Sequence, residues 1–596
     1  MTSPAAAVIP SGVVSTNQPA GPAETPQSPE QLKRTNPVQH DLRPVLVVSL
    51  VAVVALLPVI IFGIPNGADL FNHFRFALPF YDSIRSGVFY PGWLAESNNG
   101  LGDPRFRFYP PGLYYFLAAT RILFADWYVG SVACLVLLSV LAGLGIYFWA
   151  RMFLEPKLAM WAGVFFTIAP YHLNQIYQAS LLSEYAACSV LPFAFAFVER
   201  ICRRKKAYDI AGLALSYGLL LLTHLPLAVI GSLSLAIYAI LRLERSNITT
   251  TLVRLASGVV LALGATSFFW TTMLFELPWI KGNSTQPNSY YDYRLNFVFS
   301  PAALTNRNTW YANLLTLTLL GFFVPAIILV SRFGKQRRGL FAILILFVGS
   351  FVMTTPLSRP IWAIVPKLSE VQFPWRWLSI TSMAGSLLLA ASIPKWHERV
   401  GQLRPRDLAV ALLFVLSILF TANEVVRDTD YLPRAQFQPL MHEIRGAVSF
   451  KDWLPIWAND VRQVEKMDAP VEAGSRTVTI TVWAPQQRQF HIDAGPASVA
   501  RVRTYFYPHW LATTGGQNLS TTAAADGTLL VAVPEGAADI AVVFREPERV
   551  RLAALVSGVA VLAILALAIF GWRQSSSHQL AAADGSEATK LFVSPI

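Results

Sequence analysis

Apolar residues recur in blocks of roughly 17 to 25 positions, the length that crosses a bilayer core. The blocks run at 44–64, 127–149, 158–174, 184–199, 207–223, 226–242, 254–275, 310–331, 339–354, 376–394, 407–423 and 552–572. Read as helices, they predict a mainly α, polytopic membrane protein with about 12 transmembrane spans. Basic residues set the sidedness. With the N-terminus inside, the inner connections carry Arg151 and Lys157, then Arg200 through Lys206, then Arg242, Arg245 and Arg254. They continue with Arg332 to Arg338, Lys395 to Arg406, and Arg573. Every short inner loop is therefore basic, as the positive-inside bias requires. The pattern predicts a multi-pass protein of the inner (plasma) membrane with both termini cytoplasmic.

Residues 1–42 are rich in Pro, Ser, Ala and Thr without helical or strand period, which predicts a disordered cytoplasmic tail. A membrane domain follows at 43–423, opened by a signal anchor. Its first outer loop, 65–126, contains an aromatic stretch from Tyr109 to Phe124 that reads as an interfacial helix. A second outer segment covers 276–309. The third, 424–551, changes character: RTVTITVW (476–483) alternates with period two, and similar signals recur near 487–493, 498–507, 528–533 and 538–544. That predicts a small extracytoplasmic β domain at about 475–545, followed by the last span at 552–572 and a cytoplasmic tail at 573–596.

Composition agrees, with 54% hydrophobic and 14% charged residues leaving too little polar surface for ordinary soluble domains. The formal net charge of +12 sits between apolar blocks and forms no continuous stripe, so no nucleic-acid partner is expected. Cys134, Cys188 and Cys202 have neither paired nor ligand-like spacing. No strand-preceded phosphate loop, GxSxG elbow, HExxH or CxxC occurs, so neither metal nor other cofactor is implied.

Candidate chemistry lies at the outer face. Asp69 and His73 are four residues apart, on one face if this piece is helical; a solvated helix cap is the alternative. Span parity places His172, Glu184, His224 and Glu276 at outer ends of spans, with Lys281 beyond Glu276 and Arg376 opening a span. Carboxylates and cations gathered on one face suit a reaction needing a base and a stabiliser of phosphate charge. Independent surface anchors would produce the same pattern, and Arg376 between Trp375 and Trp377 could be one.

Several stretches resemble a family of bacterial multi-pass membrane proteins labelled 6-pyruvoyl-tetrahydropterin synthase-related. They are GADLFNHF (67–74) with YPGWLAESNNGLGDPRFRFYPPGLYY (90–115), LLLTHLPLAV (220–229), and TPLSRPIWAIVPKLSEVQFPWRWL (355–378), with DWLPIWA (452–458) and YFYPHWLAT (505–513) also fitting. The layout is similar to the GT-C superfamily of membrane glycosyltransferases, whose donor is typically a polyprenyl-phosphate sugar. The resemblance implies that Asp69 is the catalytic acid/base, with His73 beside it, and that Arg376 and His224 help hold the donor phosphate. Glu184 matches an acidic position at the head of span four. One departure stands out: QIYQASLLSE (175–184) has Gln175 and Ala179 where an acidic residue and an arginine are expected.

The expected function is transfer of a sugar from a polyprenyl-phosphate donor to an envelope glycan or polymer acceptor at the outer face of the bilayer. Asp69 is its base, and His73, Arg75, His172, Glu184, His224, Glu276, Lys281 and Arg376 are the candidate substrate-binding residues. A lipid-linked sugar transporter or flippase, and a non-catalytic envelope-assembly scaffold, are the rival readings.

Overall fold

The computed structural model describes residues 41–204, 206–283, 291–329, 338–446, 448 and 451–591; all but the last two residues of the expected tail at 1–42 and most of the basic loop at 332–338 lie outside them. Among the described residues eight helices are each long and apolar enough to cross a membrane: Trp127–Ala150, Leu182–Arg203, Leu225–Arg242, Arg245–Ala265, Arg307–Ile327, Pro374–His397, Pro405–Val426 and Glu548–Arg573. A ninth span results if Gly339–Met353 and Pro356–Ile364, bent by 92°, count as one.

The expected count of 12 is therefore not reached among the described residues, although every predicted block is helical. The first block is two helices, Arg43–Ala55 and Leu57–Ile61, with Pro58 in the first turn of the second. The third is Pro156–Thr167 followed by Pro170–Tyr177. Proline lacks the N–H that would continue a helix and suits a first turn, so these two blocks restart there, whereas helices Leu182–Arg203 and Arg307–Ile327 run on through Pro192 and Pro325. The fifth, Ala207–Thr223, is one uninterrupted helix of 17 residues.

Pro374–His397 is the central helix, with 83% of its apolar window buried, whereas Pro405–Val426 keeps 17% and leaves Leu412, Leu416 and Leu419 facing outward. Lipid is as apolar as leucine, so close backbone approach must hold such helices together. Gly143 and Gly163 supply one approach: a Cβ on Gly163 would lie 2.8 Å from the Gly143 carbonyl oxygen. At the aromatic core Trp149 stacks on Phe195 at 4.6 Å.

Strand β1 (Ile64–Pro65) pairs with β2 (Tyr431–Leu432), tying the start of the first long loop to the end of helix Pro405–Val426. The β domain is a sandwich of two antiparallel sheets. One has the order β3-β6-β10-β9 (Val471–Glu472, Ser498–Tyr505, Thr528–Val533, Thr521–Ala523). The other has β4-β5-β11-β7-β8 (Val478–Ala484, Gln487–Ile492, Ala538–Phe544, Trp510–Thr514, Gln517–Leu519). All five predicted strands form, and β3, β7, β8 and β9 are additional. Alternation turns Phe490, Ile492, Ile540 and Val542 into the core. The first long loop shares that core, because Trp93 packs 5.4 Å from the Phe544 ring and the Leu101 carbonyl accepts from Tyr505 N–H at 2.7 Å. The aromatic stretch after Tyr109 forms helix Gly112–Phe124, as expected.

Candidate active site

Asp69 sits immediately before helix Leu70–Arg85, in the N-cap position, yet its side chain makes no cap bond. The cap alternative therefore fails. Its half-buried carboxylate accepts one hydrogen bond, from Asn72 Nδ2 at 3.2 Å, and forms no ion pair among the described residues. The backbone around it is held by the turn that precedes helix Leu182–Arg203. Asp69 N–H donates to the Ala179 carbonyl at 3.1 Å, Gly67 N–H to Ser180 Oγ at 3.0 Å, and Ser180 Oγ to the Pro65 carbonyl at 3.1 Å. Ser180 adopts φ +48°, and a Cβ on Gly67 would lie 2.6 Å from its Oγ and 2.8 Å from the Ala179 carbonyl carbon. Only glycine fits against this turn.

His73 is buried and does not bond to Asp69. Leu182 N–H donates to its Nε2 at 3.2 Å, which assigns the proton to Nδ1, and Nδ1 donates to Tyr114 Oη at 3.0 Å. Burial, opposed by the Asp69 charge, lowers the imidazole to about 4. His73 is thus a neutral brace between three segments.

Arg376 follows Pro374 in the turn that opens helix Leu378–His397 and is only 9% exposed, so it is no surface anchor. Its Nε lies 3.2 Å from Glu184 Oε2 in an ion pair without hydrogen-bond alignment, and its Nη1 donates to the Val371 carbonyl at 2.7 Å. The other Glu184 oxygen accepts from Tyr171 Oη at 2.8 Å, Gln175 Nε2 at 3.0 Å and Ser379 Oγ at 3.1 Å. Gln175 therefore orients Glu184, and Ala179 lends Asp69 its carbonyl. His172 stands behind this relay, stacked between Phe166 and Tyr185 at 4.4 and 4.8 Å, with Nδ1 3.3 Å from Gln175 Oε1. It is 1% exposed, so no substrate reaches it in this conformation.

His224 caps helix Leu225–Arg242, accepting from Leu227 N–H at Nδ1 over 3.2 Å, which leaves Nε2–H as a donor. Arg376 and His73 are both within electrostatic reach of it, and Asp69 and Arg376 both act on the Tyr109 phenol. Asp69, His73, Tyr109, Glu184, His224 and Arg376 thus form one constellation at the end of the helices where the β domain sits. It holds a half-exposed carboxylate, a guanidinium and an imidazole donor within electrostatic range of shared neighbours.

Glu276 belongs to a second constellation. Arg107 donates to it through Nε at 2.5 Å and Nη2 at 2.8 Å, Tyr507 Oη at 2.8 Å and Arg549 Nη2 at 2.9 Å, while His509 Nε2 lies at 3.0 Å. Arg107 also holds Glu546 through Nη1 at 2.7 Å. Burial favours the protonated acid, yet hydrogen bonds from His509 and Arg107 hold its carboxyl well below the usual carboxylate range. Glu276 thus joins the first long loop, the β domain and the terminal helix, with its acceptor capacity used. Lys281 is placed with that joint, its N–H donating to the Leu454 carbonyl at 3.0 Å. Arg75 offers its carbonyl to Arg105 Nη1 at 3.2 Å, while its own Nε is buried without an acceptor. Arg105 itself is buried on Asp103. Among the described residues no group of three His, Cys, Asp or Glu could hold a metal ion.

Residues 106–429, more than half of the chain, match the family described as "6-pyruvoyl-tetrahydropterin synthase related domain; membrane protein". The chain belongs to this family. No curated protein sequence matches this family member. Among solved structures it is similar to the mycobacterial arabinofuranosyltransferase AftD at 14% identity and a TM-score of 0.41, over 64% of this chain and 26% of that one. It is also similar to the Archaeoglobus fulgidus oligosaccharyltransferase in the apo form, at 13% identity and a TM-score of 0.36, over 69% and 56%. The family member spans about a quarter of AftD and just over half of the archaeal enzyme.

Proposed function

We propose that this membrane protein is a glycosyltransferase that moves a sugar from a polyprenyl-phosphate donor to a hydroxyl of an envelope glycan or polymer on the extracytoplasmic side of the inner membrane. One observation carries the reading: Asp69 keeps a half-exposed carboxylate without a counter-ion among the described residues, within electrostatic range of a side chain that Arg376 also reaches. An Asp oxygen takes the acceptor hydroxyl proton as that oxygen bonds to the anomeric carbon. The bond from that carbon to the phosphate oxygen breaks, and the lipid phosphate leaves with the electron pair. A phosphate leaving group needs no general acid. Arg376, whose fork suits phosphate, stabilises the departing charge, and His224 Nε2–H adds a neutral donor. Glu184, set by Gln175, Tyr171 and Ser379, holds Arg376 in place until phosphate competes for it. The chemistry calls on no cofactor.

The test is mass spectrometry of envelope glycans and lipid-linked sugars in cells lacking the protein, complemented with wild type or Asp69→Asn at matched abundance. The reading expects loss of a decoration, accumulation of its carrier-linked sugar, and rescue by wild type alone. Rescue by Asp69→Asn removes Asp69 as the base and favours a transporter or scaffold.

A further inference from the structure

Buried arginines elsewhere in this chain are matched by carboxylates, Arg105 by Asp103 and Arg107 by Glu276 and Glu546. Arg488 on β5 is not. It is 2% exposed and faces the inside of the five-stranded sheet, near the edge strand β4. Its Nη1 donates to the carbonyl of its own neighbour Gln487 at 3.1 Å, its Nε is buried without an acceptor, and it forms no ion pair among the described residues. Glu96, an exposed carboxylate of the first long loop, favours its charge without pairing with it, and burial pushes the guanidinium down to about 10. A buried cation in this state is unfavourable unless something supplies the missing anion.

The neighbouring side chain suggests what does. Register places Trp483 of β4 opposite Arg488, and the guanidinium carbon lies 4.4 Å from that indole's centroid. Trp483 is 41% exposed on the edge strand, and Ile480 on the same face is exposed as well. Sugar rings pack against aromatic faces, and a guanidinium binds carboxylate or phosphate through two parallel donors. We infer that the Trp483–Arg488 pair of the β domain binds a saccharide unit carrying an anionic group, its ring against the exposed Trp483 and its anion reaching Arg488 when that indole moves off the guanidinium it covers. The site goes beyond the catalytic reading: it lies on the β domain, and its occupancy is measured as binding, so it survives or fails separately from transfer.

Full-length protein in phosphatidylcholine nanodiscs is titrated calorimetrically with a hyaluronan hexasaccharide, with glucose 1-phosphate and with maltohexaose. The expected result is saturable binding of an acidic saccharide, none of the neutral maltohexaose, and at least tenfold weaker binding in Arg488→Gln and Trp483→Ala. Binding of hyaluronan alone identifies a carboxylate ligand, and binding of glucose 1-phosphate alone a phosphate. Absence of acidic-saccharide binding, equal binding of maltohexaose, or variants as tight as wild type overturns the site. Folding is followed by the unfolding temperature without ligand. Arg488→Met, which removes an unmatched charge, is expected to leave it unchanged or raise it. A fall as large as that of Arg105→Met makes the cation a packing element and overturns the inference.

Discussion

Replacing Glu276 by Gln tests whether the second constellation fastens the β domain to the helices. The substitution keeps the volume but removes the charge that Arg107, Arg549, Tyr507 and His509 share. Arg107 is 0% exposed at the side chain and cannot turn to water; it keeps only Glu546. Breaking a buried ion pair from one side costs about 3–5 kcal/mol. Arg549 is 40% exposed, so it rehydrates and adds nothing to that figure. At about 1.4 kcal/mol per decade, the undocked population rises on the order of a hundredfold or more. Limited proteolysis in nanodiscs reads that population when redocking is faster than cleavage. Glu276→Gln is expected to accelerate cleavage between the β domain and the helices by about that factor, with Asp69→Asn unchanged; a variant within threefold of wild type refutes the reasoning. The pH dependence has a definite sign. Because the folded carboxyl is held below its ordinary value, its stabilisation is complete above about pH 4.3 and declines as pH falls below that.

Gly67→Ala forces a Cβ into Ser180 and the Ala179 carbonyl, and is expected to cost about 1–3 kcal/mol and to abolish Asp69-dependent turnover; wild-type turnover counts against the tight turn. His73 stays neutral down to about pH 4, so the pH–rate profile is expected to lack a limb assignable to it between pH 5 and 8, and a limb lost in His73→Gln contradicts its bracing role. Its lowered value also means that its contribution to stability is complete above about pH 6.5 and is lost as pH falls toward 4, seen as hydrogen exchange in Leu70–Arg85. Gln175→Glu places a second carboxylate against Glu184 and is expected to weaken donor binding more than tenfold, measured as KM with kcat retained; unchanged KM removes Gln175 from the positioning of Arg376.

Hydrophobic period read the helices but not their continuity. The first and third blocks contain Pro58 and Pro170, both visible in the sequence, and a window that averages hydropathy passes over the break each introduces. The hairpin of β7 and β8 had a local signal too: Gly515 and Gly516, at φ +53° and +82°, lie between TT and QN in a turn that suits them. That Asp69, His73, Glu184, His224 and Arg376 cluster was legible because motifs marked them and parity put them on one face. The environment of each was not. Arg107 sits 169 residues from Glu276 and 439 from Glu546, a separation no period encodes, although the PRFRFYPP stretch displays two arginines among aromatic residues. Glu276 and His172 read as candidates because exposure cannot be inferred from a position at a span end. Gln175 and Ala179 read as departures, whereas here one orients Glu184 and the other holds the Asp69 backbone.

The central claim is that Asp69 is the base of a sugar transfer from a lipid phosphate. Lipid extracted from cells lacking the protein is incubated with purified wild type or Asp69→Asn and an envelope fraction, and the polyprenyl-phosphate sugars are followed by mass spectrometry. The account predicts that wild type consumes one such lipid with matching glycosylation of the acceptor, and that Asp69→Asn, folded to the same unfolding temperature, does so about 10² to 10⁴ times more slowly, the usual contribution of a general base. Equal consumption by the two proteins, or none by wild type, contradicts it.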